Sequence, residues 1–201
     1  MLNSVYSPDD PISGTFDVDA TARLFTRAHL VKGMFFNRLL AVLGPSFGDL
    51  VPSLAAPPRL GKYLPFSDYP QGDYLRVAVA VAERSYPAWS LREGIRRLSR
   101  ADFKVFADST LGKVLLAVAG DVHAALLNVP STYTKVTSAN WTITGEAIDQ
   151  GAVTITFAPL LGPWEFQLGQ LEGVVLAFGK TPSVRVMELP KGAVRFDVRH
   201  D

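Results

Sequence analysis

The spacing of apolar residues changes once along this chain, and that change restricts the fold more than any other feature. Through about residue 130 they recur every three or four positions, as on one face of a helix. From about residue 133 they alternate, and the segment becomes rich in Thr, Val and Ile, which marks strands. Helices first and strands second, with no repeating βαβ order, predict an α+β fold: a helical N-terminal half packed on a small antiparallel sheet. Apolar residues make up 48% of the 201 and charged residues 19%. That is core enough for one domain over 16–201, helical over about 17–130 and sheet over about 131–200, behind a flexible leader at 1–15.

The elements are punctuated by ordinary cap chemistry. Asp17 and Asp19 are N-cap candidates for a short helix reaching about Arg27. Met34, Phe35, Leu39, Val42 and Leu43 share a helical stripe that Gly44-Pro45 ends. A helix over 71–84 carries Tyr74, Leu75, Val77, Ala78 and Val81 and stops at Tyr86-Pro87. Ser90 with Glu93 reads as a capping box opening a helix toward Ala107, with a break at Asp108-Ser109. Asp121 starts a short helix through Leu127, which Asn128-Val129-Pro130 should end. Strands are expected at 133–136, 140–146 and 152–158. A helix over 166–178 places Leu168, Leu171, Val175 and Leu176 on one stripe. SVRVMEL and AVRFDVR then alternate around Pro-Lys-Gly, which predicts a closing β-hairpin.

Several familiar signatures fail on inspection. GVVLAFGKT at 173–181 approximates a phosphate loop but has five residues between its first glycine and Gly-Lys-Thr, where four are needed. It also ends a helix and precedes a strand, the reverse of the required order, so Gly179 is expected to be a left-handed C-cap. Gly44-Pro45-Ser46-Phe47-Gly48 matches a nucleophile elbow in letters but follows a helix instead of a strand. The three histidines, His29, His123 and His200, have no metal-ligand partner at helical spacing. The chain has no cysteine, which excludes disulfides, thiolate zinc sites and cysteine nucleophiles. No catalytic residue, cofactor or metal site is expected, and the chain does not read as an enzyme.

A net charge of +1 and a pI near 8.0 argue against nucleic acid. Apolar runs such as LLAVLG at 39–44 are too short for a membrane span. The first residues lack a basic patch followed by an apolar run, so a cytoplasmic location is expected. Arg92, Arg96, Arg100 and Lys104 stand four apart on one helix. They form either a solvated face or a basic stripe that meets an acidic protein or a phosphate.

Three stretches carry a resemblance: VKGMFFNRLLAVLG, YPQGDYLRVAVAVAERSYP and LREGIRRLSRADFKVFADSTLGKVL. They resemble a paralogous domain family of unknown function expanded in myxobacteria, over about residues 30–198. The end, GQLEGVVLAFGKTPSVRVMELPKGAVRFDVR, is more distantly similar to the superfamily of haem–nitric-oxide-binding, vinyl-reductase-like and trafficking-complex-subunit domains. That similarity implies a helical half against an antiparallel sheet, a cleft able to hold an apolar ligand, and pairing through helices. It also implies packing and capping roles for Gly173 and Gly179. The haem domains carry Tyr-x-Ser-x-Arg; Tyr133-Thr134-Lys135 lacks the serine and the arginine, so haem is not implied. Nor is zinc, because the metal-binding cysteines are missing.

Two functional readings follow. The first is a non-catalytic binding, adaptor or regulatory domain acting through protein contacts, as a homodimer or with another protein. Met34, Phe35 and Phe36 are consecutive, so one helix face cannot take all three, and a second surface must receive the remainder. The alternative is a sensor of an apolar small molecule between helices and sheet, with Phe36, Leu39, Leu40, Leu75, Val79, Leu115 and Leu126 as candidate pocket residues.

Overall fold

The computed structural model describes residues 2–58, 61–108, 110–138 and 141–201, with the side chains of 105, 108, 110, 111 and 115 also outside the described set. The order is β1 (Asn3–Tyr6), α1 (Val18–Leu24), β2 (Leu30–Lys32), α2 (Gly33–Leu43), β3 (Asp68–Pro70) and α3 (Gln71–Ser85). Then come α4 (Leu91–Asp108), α5 (Thr110–Ala119), α6 (Val122–Leu127), α7 (Val129–Val136) and β4 (Thr137–Ser138). The chain finishes with β5 (Thr142–Asp149), β6 (Ala152–Ala158), α8 (Trp164–Ala177), β7 (Pro182–Leu189) and β8 (Ala193–His200). The expected α+β architecture is present. A five-stranded antiparallel sheet in the order β1-β7-β8-β6-β5 sits beside a three-stranded one in the order β3-β2-β4.

The caps follow the sequence. The Asp17 carboxylate accepts from Ala20 N at 2.8 Å and the Asp121 carboxylate from Ala124 N at 2.7 Å. Ser90 Oγ accepts from Glu93 N at 3.2 Å. At the end of α8, Gly179 has φ +70°. Its N–H donates to Leu176 O at 2.9 Å, and Lys180 N–H donates to Val175 O at 3.3 Å. This is a Schellman motif, so Lys180 lies between a helix end and an antiparallel strand, not in a phosphate loop. Gly44–Gly48 likewise forms a 3₁₀ turn after α2.

Three expectations need correction. Residues 133–136 are helical, not extended, because Asn128-Val129-Pro130 starts a helix instead of only ending one. A proline in the first turn loses no intrahelical bond, and Thr134 Oγ1 donates back to Ser131 O at 2.8 Å. The leader is not loose, since β1 pairs with β7 as an edge strand. Finally, α2 is preceded by β2, which joins β3 and β4. The strand expected from 140 begins at Thr142, and Asn140 and Ser109 lie outside the described residues.

Two cores result. One packs α8 through Leu168 and Val175 against Ile155, Phe157, Val184 and Phe196 of the large sheet. The other joins α2, α3 and α4 through Phe36, Leu39, Val77, Val81 and Ile95. Helix α8 is the shared wall, which is why it carries apolar residues on one side and glycines and carboxylates on another.

Candidate functional site

Helices α4 and α8 pack closely along a seam built from small and charged residues. A Cβ on Gly169 would fall 2.2 Å from Arg96 O, and one on Gly173 would fall 2.6 Å from Phe103 Cβ. Glycine at both positions lets the two backbones approach. The arginines of α4 face this seam. Arg96 is fully buried; its Nε donates to both oxygens of buried Glu172 at 3.1 Å, and its Nη1 donates to Asp10 O at 2.6 Å. Arg92 pairs with buried Glu165, and Arg100 Nη1 reaches Glu172 at 3.4 Å and Pro8 O at 3.3 Å. Glu93 turns away from its own helix start: it accepts from Ile12 N at 3.1 Å and from Arg97 Nε at 2.7 Å. Burial pushes the Glu172 carboxyl up, opposed by the Arg96 guanidinium. The predicted basic stripe is therefore an internal brace holding residues 7–15, not a solvated face or a contact surface. Only its last member, Lys104, is exposed.

On the far side of this seam the same helices border a chamber of about 430 Å³. Met34, Phe35 and Arg38 come from α2, and Gln71 and Tyr74 from the start of α3. The end of α4 gives Asp102, Phe103 and Phe106, and α8 gives Phe166, Gln167, Gln170, Leu171 and Val174. Ala125 of α6 and Val129, Tyr133 and Lys135 of α7 complete much of the wall, with Leu116, Val118 and Ala119 of α5. Aliphatic and aromatic groups dominate; polar groups come from α7 and α8 as well as from the point where α2, α3 and α4 converge. There the Arg38 guanidinium lies 2.8 Å from Asp102 Oδ1 and also donates to Ala101 O at 3.2 Å. Burial lifts the Asp102 carboxyl to about 6, opposed by Arg38 and by a hydrogen bond from Tyr74. Tyr133 Oη donates to Gln170, and burial pushes the Tyr133 hydroxyl far up.

A second chamber of about 40 Å³ adjoins the first, bordered by Phe25, Leu75, Trp141 and Gly162 among others. Gln71, Tyr74, Phe166 and Gln167 belong to both linings and form the partition. The Tyr74 and Phe166 rings meet edge-on with centroids 5.9 Å apart. Gln71 Oε1 and Gln167 Oε1 are buried without a hydrogen-bond partner.

The candidate pocket residues lie elsewhere. Phe36, Leu39, Leu75 and Val79 are buried in the helical core, Leu40 packs against it, and Leu126 belongs to the sheet-side core. Of these, Leu75 touches the small chamber and none borders the large one. The Leu115 side chain lies outside the described residues. The chamber lies among helices; β2 and β4 reach it through Val31 and Thr137, and the five-stranded sheet contributes none of its wall. It also receives Met34 and Phe35 while Phe36 points into the core. The second surface that these three residues need is internal, which removes the main sequence argument for a dimer.

Among the described residues, no helix is long and apolar enough to cross a membrane, and no group of three or more His, Cys, Asp or Glu could hold a metal ion. The family described as "Protein of unknown function (DUF2378)" matches residues 24–200. No curated protein matches the chain. Among solved structures, the Fe(II) unliganded H-NOX protein from K. algicida aligns over 85% of this chain and 96% of its own, with 18% identity and a TM-score of 0.62. The H-NOX domain from Shewanella oneidensis in the Fe(II)CO ligation state aligns over 85% and 98%, with 13% identity and a TM-score of 0.65. A mutant H-NOX from T. tengcongensis aligns over 85% and 97%, with 18% identity and a TM-score of 0.62. At these identities the fold is what is shared.

That fold raises the question of haem, and the chamber's donor set does not fit one. Haem iron is held by His, Cys, Met or Tyr. Among the described lining residues there is no histidine or cysteine, and the one thioether, Met34, is of a type that holds haem iron together with a histidine. His29 Nδ1 instead accepts from Thr26 N at 2.9 Å, and His123 meets His200 edge-on with centroids 6.1 Å apart. Tyr74 and Tyr133 reach the chamber, but burial raises both hydroxyls and opposes the tyrosinate that an iron would need. Arg38 and Lys135 could meet an anionic group, which is not enough to seat the iron.

Proposed function

The chain belongs to the DUF2378 family of proteins of unknown function, and we propose that it is a non-catalytic module that senses an apolar small molecule held in the chamber between α2, α4, α7 and α8. The observation that carries this reading is the chamber itself: about 430 Å³, walled by aromatic and aliphatic side chains with polar groups interspersed among them. The H-NOX proteins that share the fold are described in iron and carbon monoxide ligation states. Use of this fold to hold a small molecule supports the reading, while the lack of a histidine or thiolate in the described lining directs it away from haem.

Ala125 stands on α6 at the chamber wall, so Ala125→Phe places a ring in the space. Binding of a solvatochromic apolar dye such as Nile red tests the proposal. Wild-type protein should enhance dye emission saturably, and Ala125→Phe, with its far-UV circular dichroism unchanged, should weaken binding at least tenfold. Equal dye binding by the two proteins would overturn the reading. Native mass spectrometry of freshly purified protein provides a second check, with a co-purified apolar adduct as the expected outcome.

A further inference from the structure

The partition between the two chambers contains an unmet hydrogen-bonding demand that ordinary packing does not explain. Gln71 sits in the first turn of α3 and Gln167 in the first turn of α8, and both share the partition with the Tyr74–Phe166 ring pair. Gln167 is 5% exposed, and the Oε1 atoms of both glutamines are buried without a donor. A buried polar atom without a partner costs about 1–3 kcal/mol, so such atoms are rare in a finished core. An apolar side chain at either position would remove that cost. Two such acceptors in one partition are better suited to a bound molecule than to packing.

We propose that the ligand carries a hydrogen-bond donor, an alcohol hydroxyl or a neutral N–H, which docks on the Gln71 and Gln167 carbonyls at the partition while its apolar body fills the large chamber. This rests on the chamber being a ligand site, and it adds which end of the ligand is recognised and how. The terminal torsion of glutamine is soft, so the Gln71 amide can turn its oxygen toward the chamber at little cost, while the Gln167 amide is oriented by a hydrogen bond to the Tyr133 hydroxyl. The small chamber, about 40 Å³, gives room beyond the partition for one ordered water that can accept or relay a second hydrogen bond. The carboxylate of Asp102 is already engaged by Arg38 at 2.8 Å. The two amides are thus the neutral acceptors without a partner among the described residues of this wall.

A matched pair of probes isolates the donor: 1-decanol and 1-methoxydecane share the apolar chain and an acceptor oxygen, but only the alcohol donates. Each is titrated as a competitor of Nile red against the full chain. In wild-type protein the alcohol should compete about tenfold more tightly, the discrimination that one buried hydrogen bond typically provides. In the Gln71→Leu, Gln167→Leu double variant that ratio should fall to near one, with affinity for the ether unchanged or improved. Equal affinities in wild-type protein, or tighter binding of the ether, would overturn the inference while leaving the chamber a ligand site. A preference for the alcohol that survives in the double variant would also overturn it. Failure of the dye and both probes to bind wild-type protein would overturn the ligand-site reading and this inference with it. The wild-type comparison stands even if the double variant folds poorly.

Discussion

Helix α4 touches α8 along two borders that were solved in opposite ways. On one border the helices are pressed together through Gly169 and Gly173 and cross-braced by Arg96, Glu172, Arg92 and Glu165. On the other, Asp102, Phe103 and Phe106 face Phe166, Gln167 and Gln170 across open space. The closed border buries charges in ion pairs, with Glu165 Oε2 left without a hydrogen-bond partner, and the open border has apolar walls with the unmatched amides of Gln71 and Gln167. A helix pair held rigidly on one side can afford a gap on the other, because the brace fixes a separation that core packing would otherwise close. The brace thus supports the chamber, and perturbing each side should give different signatures.

The largest effect is expected from breaking the brace at its centre. Glu172→Ala leaves Arg96 buried opposite a void, and loss of one partner from a buried pair costs about 3–5 kcal/mol. Urea unfolding should show that loss, together with weakened dye binding because the gap is no longer held open. The double variant Arg96→Met, Glu172→Leu removes both charges and should recover most of the stability. If the single variant costs under about 1 kcal/mol, the brace is not what holds the seam.

Next comes the charged group on the open border. The Asp102 carboxyl is lifted from 3.8 to about 6 by burial. A folded-state value above the unfolded one means that the folded protein prefers the protonated acid. Its stabilising contribution is complete below about pH 4 and is lost as pH rises through about 6, then stays level. One unit corresponds to about 1.4 kcal/mol, so the loss is on the order of 3 kcal/mol at most. Asp102→Asn should flatten that part of the stability profile between pH 4 and 7. Glu165 and Glu172 are raised in the same direction, so the difference between the two proteins is what isolates Asp102. Parallel profiles would show that Asp102 titrates normally.

The glycines separate the two borders directly. Gly169→Ala drives a methyl against the Arg96 carbonyl, which backbone cannot easily yield, and should cost about 1–3 kcal/mol. Gly173→Ala meets Phe103 Cβ at 2.6 Å, which ring rotation cannot move, so the helices must shift there as well, and Phe103 borders the chamber. Gly173→Ala should therefore cost a similar amount, about 1–3 kcal/mol, but reduce dye affinity more. Equal dye binding by the two variants would mean that a shift at Phe103 leaves the chamber wall unchanged.

Much of the fold was legible because its signals are local. Periodicity located the helices, Asp17 and Asp121 marked their starts, Gly179 marked the end of α8, and Pro-Lys-Gly marked the closing hairpin. The misread segment, 133–136, failed because Thr and Val favour strands in general while Pro130 and the back-bonding threonines favour a helix here. The chamber was not legible because a wall shows the same spacing as a core: Phe36 and Phe35 are neighbours in sequence, and only the placement of α4 and α7 decides which one faces space. A usable signal was present in α8. Gln167 and Gln170 interrupt a helix that is otherwise apolar, glycine or acidic, and a polar amide on such a helix needs either a partner or a ligand.

The smallest effect tests why the arginine stripe was misassigned. Residues four apart advance about 40° beyond a full turn at each step, because each residue turns the helix by about 100°. Arg92, Arg96 and Arg100 stay within one step of the centre of the seam and all find acceptors there. Lys104 lies a further step on, about 80° from Arg96, and has rotated out to solvent. The same spacing therefore holds buried braces and a surface charge, and Lys104→Ala should change stability by no more than about 0.5 kcal/mol where Arg96→Ala costs several. A loss at Lys104 comparable to that at Arg96 would mean that the stripe acts as one electrostatic unit, and that the division between braced and open borders lies further along α4 than the side-chain contacts place it.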